Sequence, residues 1–191
     1  MTEKSDAIRA LCDAITENRR RDAMEIVAKR YPFSATAATR RSYGPTEATS
    51  VFRRDGFIDR YTGDRLIFPP VLRVISTLLP NEFPFHTNWK TSACHPAFWE
   101  VGATVDHVVP VTRGGADSMQ NWVTTSMARN SAKMNWLIEE LGWTLHPPGS
   151  LAQWDGMLGW FMELVEARPA LKRITMIGSW FRAAKSDANA L

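Results

Sequence analysis

The segment from Val105 to Lys133, VDHVVPVTRGGADSMQNWVTTSMARNSAK, contains the residues best suited to catalysis. Asp106 and His107 are adjacent on a β-branched stretch, and Asn130 follows further along the segment. Carboxylate and amide oxygens are ligands that hard divalent cations prefer, and a neutral imidazole accepts a proton from water. These residue types predict a one-metal phosphodiesterase centre, with Asp106 and Asn130 on the cation and His107 as the base.

The elements that must position these side chains are two strands and a helix. Val105–Val111 alternates as a strand does, and Pro110 marks its end or an edge position. Gly114-Gly115 permits a tight reversal, and Trp122–Thr125 is β-branched and aromatic as in a returning strand. Ser126 can cap a helix that continues to Leu137 and carries the amide. Two strands crossed by a helix bring the three side chains near one point.

This arrangement resembles the HNH endonucleases, the ββα-metal nuclease superfamily. The residues that match the family pattern, all in order, are Asp106-His107, Pro110, Gly114-Gly115, Asn121, Asn130 and Lys133. The resemblance implies that His107 is the general base, that Asp106 and Asn130 bind Mg²⁺ or Mn²⁺, and that Asn121 braces the loop between the strands. It also implies an α+β fold with a ββα-metal core, and hydrolysis that leaves a 5′-phosphate and a 3′-hydroxyl.

The resemblance extends upstream to Arg53–Leu66, RRDGFIDRYTGDRL. The family usually carries one Cys-x-x-Cys pair here and a second just before the helix Asn, and the four thiolates bind a structural zinc. This chain has Asp59 and Thr62 in the first pair of places, and Ser126 and Arg129 in the second. None of the four is Cys, so no structural zinc is expected. We predict that a charge-assisted bond between Asp59 and Arg129 replaces part of it.

Four basic side chains are candidates for contacts with nucleic-acid phosphates. Arg53 and Arg54 precede the upstream segment, Arg113 precedes the Gly-Gly turn, and Lys133 lies one turn after Asn130. Such contacts would position a strand without reading its sequence. A solvated, salt-bridged helix face explains Arg53 and Arg54 equally well, and an ordinary exposed lysine is the alternative for Lys133.

The composition is that of a folded protein rather than a membrane or disulfide-rich one. Apolar residues make up 45% and charged residues 23% of 191, enough for one ordinary core. No apolar run approaches a membrane span, and the first residues lack a secretory apolar stretch. Cys12 and Cys94 stand alone, which favours reduced thiols in the cytoplasm. The net charge of +3 is too small to indicate nucleic-acid binding by itself.

The chain is predicted to form one domain, 1–191, in three parts. An N-terminal helical arm and connector occupy 1–50, and the nuclease core occupies 51–145. An insert within the core covers about 71–102, and a C-terminal helical pair occupies 146–191.

Apolar periodicity and Pro positions predict most of the helices. An N-terminal helix is broken near Asn18, and an extended connector runs over Pro32–Ser50. Pro69 begins a short helix. A capping box at Ser150 and a proline at Pro169 begin the two C-terminal helices.

Two other functional classes remain open at this point. One is a catalytically silent nucleic-acid-binding module, although intact Asp106, His107 and Asn130 argue against it. The other is a defence or toxin nuclease whose role depends on a partner protein. DNA is favoured over RNA as the substrate, while sequence preference, nicking or double-strand cleavage, and oligomeric state are left open.

Overall fold

The computed structural model describes residues 2–32 and 43–188, which fall into two compact units divided after residue 38. The first unit contains α1 (Thr2–Thr16) and α2 (Arg20–Arg30), which pack against each other. Asn18 between them has φ +57°, a left-handed conformation that ends a helix. The predicted break near Asn18 is therefore confirmed. The single domain, 1–191, stays a prediction, and its N-terminal part, 1–50, is divided between the two units.

The second unit is a mixed α+β structure, as the sequence indicated. Its helices and strands, in chain order, are α3 (Pro45–Arg54), α4 (Pro69–Leu78), α5 (Ala97–Glu100), β1 (Ala103–His107), β2 (Trp122–Ser126), α6 (Met127–Lys133), α7 (Leu158–Ala167) and α8 (Thr175–Ala188). None of the helices in the described parts of the chain has the length and apolar character needed to cross a membrane.

The two strands form the predicted antiparallel hairpin, but β1 ends at His107, whereas the sequence predicted a strand that continues to Val111. Ala103 pairs with Ser126, Val105 with Thr124 and His107 with Trp122. Ser126 accepts a hydrogen bond from the backbone N–H three residues later, so the predicted cap of α6 is confirmed. The helix ends earlier than predicted, at Lys133.

The predicted connector over Pro32–Ser50 is wrong at its C-terminal end, and residues 33–42 lie outside the described residues. Helix α3 already begins at Pro45, where proline supplies a helical φ without losing a needed donor. Glu47 accepts a hydrogen bond from the backbone N–H of Gly44 at 2.8 Å and completes the cap. Helix α4 begins at Pro69 as predicted.

The capping box predicted at Ser150 is wrong, because the chain there forms only turns. Helix α7 begins at Leu158, after Asp155 has accepted hydrogen bonds from the backbone N–H groups of Met157 and Gly159. Pro169 begins a short 3₁₀ turn, and α8 follows it.

The hairpin lies between two apolar clusters. The larger cluster joins α3, α4, α7 and α8 to Val105 and Trp122 on one face of the hairpin. The smaller cluster consists of Tyr61, Val123 and Ile138. Burying one such apolar side chain contributes about 1.5–3 kcal/mol, so both faces of the hairpin are anchored. Its end near His107 is consequently a rigid place for a site.

Candidate active site

Asp106 and His107 leave β1 with different surroundings, as expected for neighbours on a strand. Asp106 contacts Tyr61 and Lys133, whereas His107 contacts Trp122 and Asp117. Within the described residues, no hydrogen bond joins the His107 ring to the side chain of Asp106. The structure therefore places the two groups side by side along the backbone, with diverging side chains.

The Asp106 carboxylate is buried and has one of its two oxygens fully occupied. Oδ2 accepts the Tyr61 hydroxyl at 2.8 Å and lies 3.0 Å from Nζ of Lys133. Burial, and secondarily the charge of Asp106, raise the pKa of Tyr61 well above its usual range, so Tyr61 remains a neutral donor. No hydrogen bond occupies Oδ1 in the described part of the chain. This oxygen is the one available to a ligand.

Lys133 has a different role from both of those the sequence suggested. Its side chain is fully buried, so it is neither an exposed lysine nor a phosphate contact. Its ammonium group binds Asp106 and donates to the backbone oxygen of His107 at 2.7 Å. A buried charge is tolerated only when paired and hydrogen-bonded, and both conditions are met here. Lys133 thus ties α6 to the end of β1 and neutralises the carboxylate.

Asn130 lies one turn before Lys133 on α6. Its Nδ2 donates to the backbone oxygen of Val105 at 3.3 Å, so the amide is held against β1 at the residue that precedes Asp106. This contact leaves Oδ1 of Asn130 unoccupied within the described residues. Among the described residues, Asp106 and Asn130 thus each have one side-chain oxygen without a hydrogen-bond partner.

These two oxygens suit a hard cation. Mg²⁺ in proteins is often held by one or two side chains while water and substrate phosphate complete its shell. Over residues 2–32 and 43–188, no group of three or more His, Cys, Asp or Glu side chains forms a metal site. Asp106 and Asn130 offer one carboxylate and one amide instead. The donor chemistry therefore fits Mg²⁺ or Mn²⁺ with Asp106 and Asn130 as ligands.

His107 has a partner that the sequence reasoning missed. Its Nε2 lies 2.8 Å from Oδ1 of Asp117, and the indole N–H of Trp122 lies 3.0 Å from both of these atoms. His107 is buried, and the Asp117 side chain is only 12% exposed. The one signal in the sequence was a carboxylate two positions after Gly115, inside the loop between the strands.

Asn121 holds that loop closed. Its Oδ1 accepts the Val109 N–H at 2.9 Å, while its Nδ2 donates to the backbone oxygens of Val109 and Ala116, both at 2.8 Å. The loop is also tight at Gly115, where a Cβ would lie 1.8 Å from the Val109 oxygen. Asn121 therefore braces the backbone that carries Asp117, and acts through structure instead of touching the cation ligands.

The three candidate arginines differ in availability. Arg54 donates to Asp55 and to the backbone oxygens of Met119 and Trp122, so its donors already join α3 to the hairpin. Arg53 donates to a backbone oxygen of α8 at 3.3 Å. These contacts favour the structural interpretation for both. Within the part of the chain that the structure describes, Arg113 forms a surface pair with Glu140 at 3.1 Å, and such pairs exchange partners at little cost.

The four residues in the places of the zinc ligands line one cleft of about 380 Å³: Asp59, Thr62, Ser126 and Arg129. The predicted bond between Asp59 and Arg129 is wrong. Asp59 is buried and accepts hydrogen bonds from Thr125 Oγ1 at 3.0 Å and the Ser126 N–H at 2.9 Å. The guanidinium of Arg129 instead lies 4.9 Å from the centre of the Trp143 ring. Asp59 therefore ties the upstream turn to the start of α6.

Comparison with known proteins adds no relative. No family model, curated protein sequence or solved structure matches this chain. The residues of the hairpin and α6, and their contacts, are therefore the basis for assigning a function.

Proposed function

We propose that this protein is a metal-dependent endonuclease of the HNH type, which hydrolyses phosphodiester bonds in nucleic acid, with DNA as the favoured substrate. The observation that carries the proposal is the set of contacts made by the side chains at the end of β1. Asp106 and Asn130 each keep one oxygen uncommitted, while the adjacent His107 is held by a carboxylate. These are the groups needed to bind a cation and to activate water.

The resistance of a phosphodiester to hydrolysis determines what the site must supply. A divalent cation held by Asp106 and Asn130 would neutralise charge on a non-bridging oxygen and on the departing 3′ oxygen. His107 takes the proton of the attacking water, a contribution typical of about 10²–10⁴-fold in rate. Arg113 lies in the loop between the strands and can exchange Glu140 for a phosphate of the substrate.

Lys133 and Tyr61 support this chemistry without contacting substrate. Both bind Oδ2 of Asp106, so that carboxylate has a single orientation and presents Oδ1. The paired positive charge of Lys133 also makes a buried Asp106 stable before a cation arrives. The free thiols of Cys12 and Cys94 favour a reducing compartment, and we propose the cytoplasm as the place of action.

A plasmid cleavage assay tests the proposal. Supercoiled DNA is incubated with the protein in Mg²⁺, Mn²⁺ or EDTA, and an RNA of mixed structure is tested in parallel. We expect cleavage with either cation and none in EDTA. His107→Ala should lose at least about 100-fold in rate while a gel shift shows unchanged DNA affinity.

His86→Ala is the matched control, because this histidine lies in the insert, and it should cleave normally. Wild-type protein that binds DNA but cuts under no condition would identify a silent binding module. Cleavage by His107→Ala at the wild-type rate would overturn the assignment of the base.

A further inference from the structure

The contact between His107, Asp117 and Trp122 determines which ring nitrogen carries the proton. An indole N–H only donates, and an ionised carboxylate only accepts. If Trp122 donated to Nε2 of His107, that nitrogen would be an acceptor facing the Asp117 oxygen at 2.8 Å with no proton between them. If Nε2–H donates to Asp117, the indole donates to the same oxygen at 3.0 Å. Only the second arrangement satisfies all three groups.

This arrangement leaves a lone pair on Nδ1, the other ring nitrogen of His107. In a neutral imidazole with a proton on Nε2, Nδ1 is unprotonated and basic. Within the described residues, Nδ1 of His107 has no hydrogen-bond partner, so it can accept from a water molecule. The ring itself is buried, where a charge-assisted bond is stronger than in water.

We propose that Asp117 is a positioning residue for hydrolysis, fixing the Nε2–H tautomer and the orientation of His107, with Trp122 holding Asp117 in place. The inference depends on the proposed function, in which His107 is the base. Nδ1 takes one proton from water as the water oxygen bonds to phosphorus. The P–O3′ bond breaks, its electron pair stays on O3′, and solvent protonates it. The imidazolium formed is stabilised by Asp117, and returns its proton to solvent.

The stabilising effect of the carboxylate appears when the ring becomes charged, that is, in the transition state. Removing it should therefore lower kcat and leave KM unchanged. Replacing the Asp by Asn in a comparable Asp–His pair costs about 10⁴-fold in rate, because the Asn favours the wrong tautomer. We expect Asp117→Asn to lose about 10²–10⁴-fold in kcat.

The experiment compares four variants with the wild type: Asp117→Asn, Asp117→Glu, Trp122→Phe and the control Asp64→Asn. Asp64 is exposed in the upstream turn, so its variant removes the same charge away from His107. Steady-state cleavage of a labelled duplex in Mg²⁺ gives kcat and KM for each. Nitrogen-15 NMR of the histidine rings gives the tautomer, with the His107 signal assigned by its loss in His107→Gln.

The expected result is an Nε2–H tautomer in the wild type, a lower kcat with Asn at 117, partial recovery with Glu, and a loss of about 10-fold in Trp122→Phe. Asp64→Asn should match the wild type. An Nδ1–H tautomer in the wild type would overturn the inference, as would full activity of a folded Asp117→Asn beside an inactive His107→Ala. If Asp117→Asn does not fold, Trp122→Phe and Asp117→Glu decide the question. Wild-type protein without any cleavage would overturn the proposed function instead.

Discussion

Replacing Lys133 by methionine tests the ion pair at the centre of the site. Met retains the length and most of the volume of the lysine stem but cannot pair with Asp106. The carboxylate would stay buried with Tyr61 as its remaining donor, and the His107 backbone oxygen would lose a donor at 2.7 Å. We expect the free energy of unfolding to fall.

The magnitude follows from the burial of both partners. The Lys133 side chain is 0% exposed and that of Asp106 10%, with 3.0 Å between Nζ and Oδ2. Removing one partner of a buried ion pair costs about 3–5 kcal/mol, because the other charge is left uncompensated. For a chain of this size that corresponds to a decrease in Tm of about 6–20 °C.

Thermal and urea unfolding, followed by circular dichroism, measure this change. Lys185→Met is the matched control, since Lys185 forms a surface pair with Glu166 at 3.7 Å and both side chains are more than half exposed. It should change the free energy of unfolding by less than about 0.5 kcal/mol. A double variant, Lys133→Met with Asp106→Asn, should be less destabilised than the sum of its parts, by about 1–3 kcal/mol.

One result would refute the reasoning. If Lys133→Met kept the wild-type Tm but bound DNA more weakly, Lys133 would be a surface phosphate contact, and the buried pair with Asp106 would not exist.

Three further predictions concern the surrounding structure. Asp59→Ala should destabilise the protein by about 2–4 kcal/mol, because it removes hydrogen bonds in a buried site. Arg129→Ala should lower the Tm by no more than about 3 °C. Equal losses of stability in the two variants would support a bond between Asp59 and Arg129 after all. Gly115→Ala should destabilise the protein by more than about 2 kcal/mol, because the added Cβ would clash with the backbone of Val109. Gly114 has φ +89° and open space around it, so Gly114→Ala should cost about 1 kcal/mol. Urea unfolding measures both free energies. Because the folded protein raises the pKa of Tyr61 above the usual 10, the unfolded chain alone releases this proton above pH 10. Stability should therefore fall there by up to about 1.4 kcal/mol per pH unit, and Tyr61→Phe should show a shallower decline in alkaline melts.

Local sequence rules predicted the two strands and the helix of the site, although β1 and α6 both end earlier than expected. The β-branched stretches around the Gly-Gly turn became the hairpin, and Ser126 became the cap of α6. The break at Asn18 and the proline start of α4 were also predicted. Apart from the pairing of the two strands, each of these depends on residues within about four positions of one another, where backbone sterics and capping act.

Local sequence rules failed to predict where α3 and α7 begin. Helix α3 begins at Pro45 inside a stretch whose Ala, Thr and Ser content suggested a connector, because its apolar face is buried in the core. Helix α7 begins at Leu158 rather than beside Ser150, since Asp155 supplies the cap. Propensity is a weak guide when tertiary packing supplies most of a helix's stability.

The partners of the charged side chains were decided only by the tertiary structure. Lys133 pairs with Asp106, Asp59 binds the backbone N–H of Ser126, and Asp117 binds His107. The residues in each pair are 10 or more positions apart. No periodicity or spacing states which distant segments will meet, because that depends on how whole elements pack. The amino-acid sequence therefore determined which side chains are available for the proposed chemistry, and the packing of the hairpin between two apolar clusters decided which groups surround them.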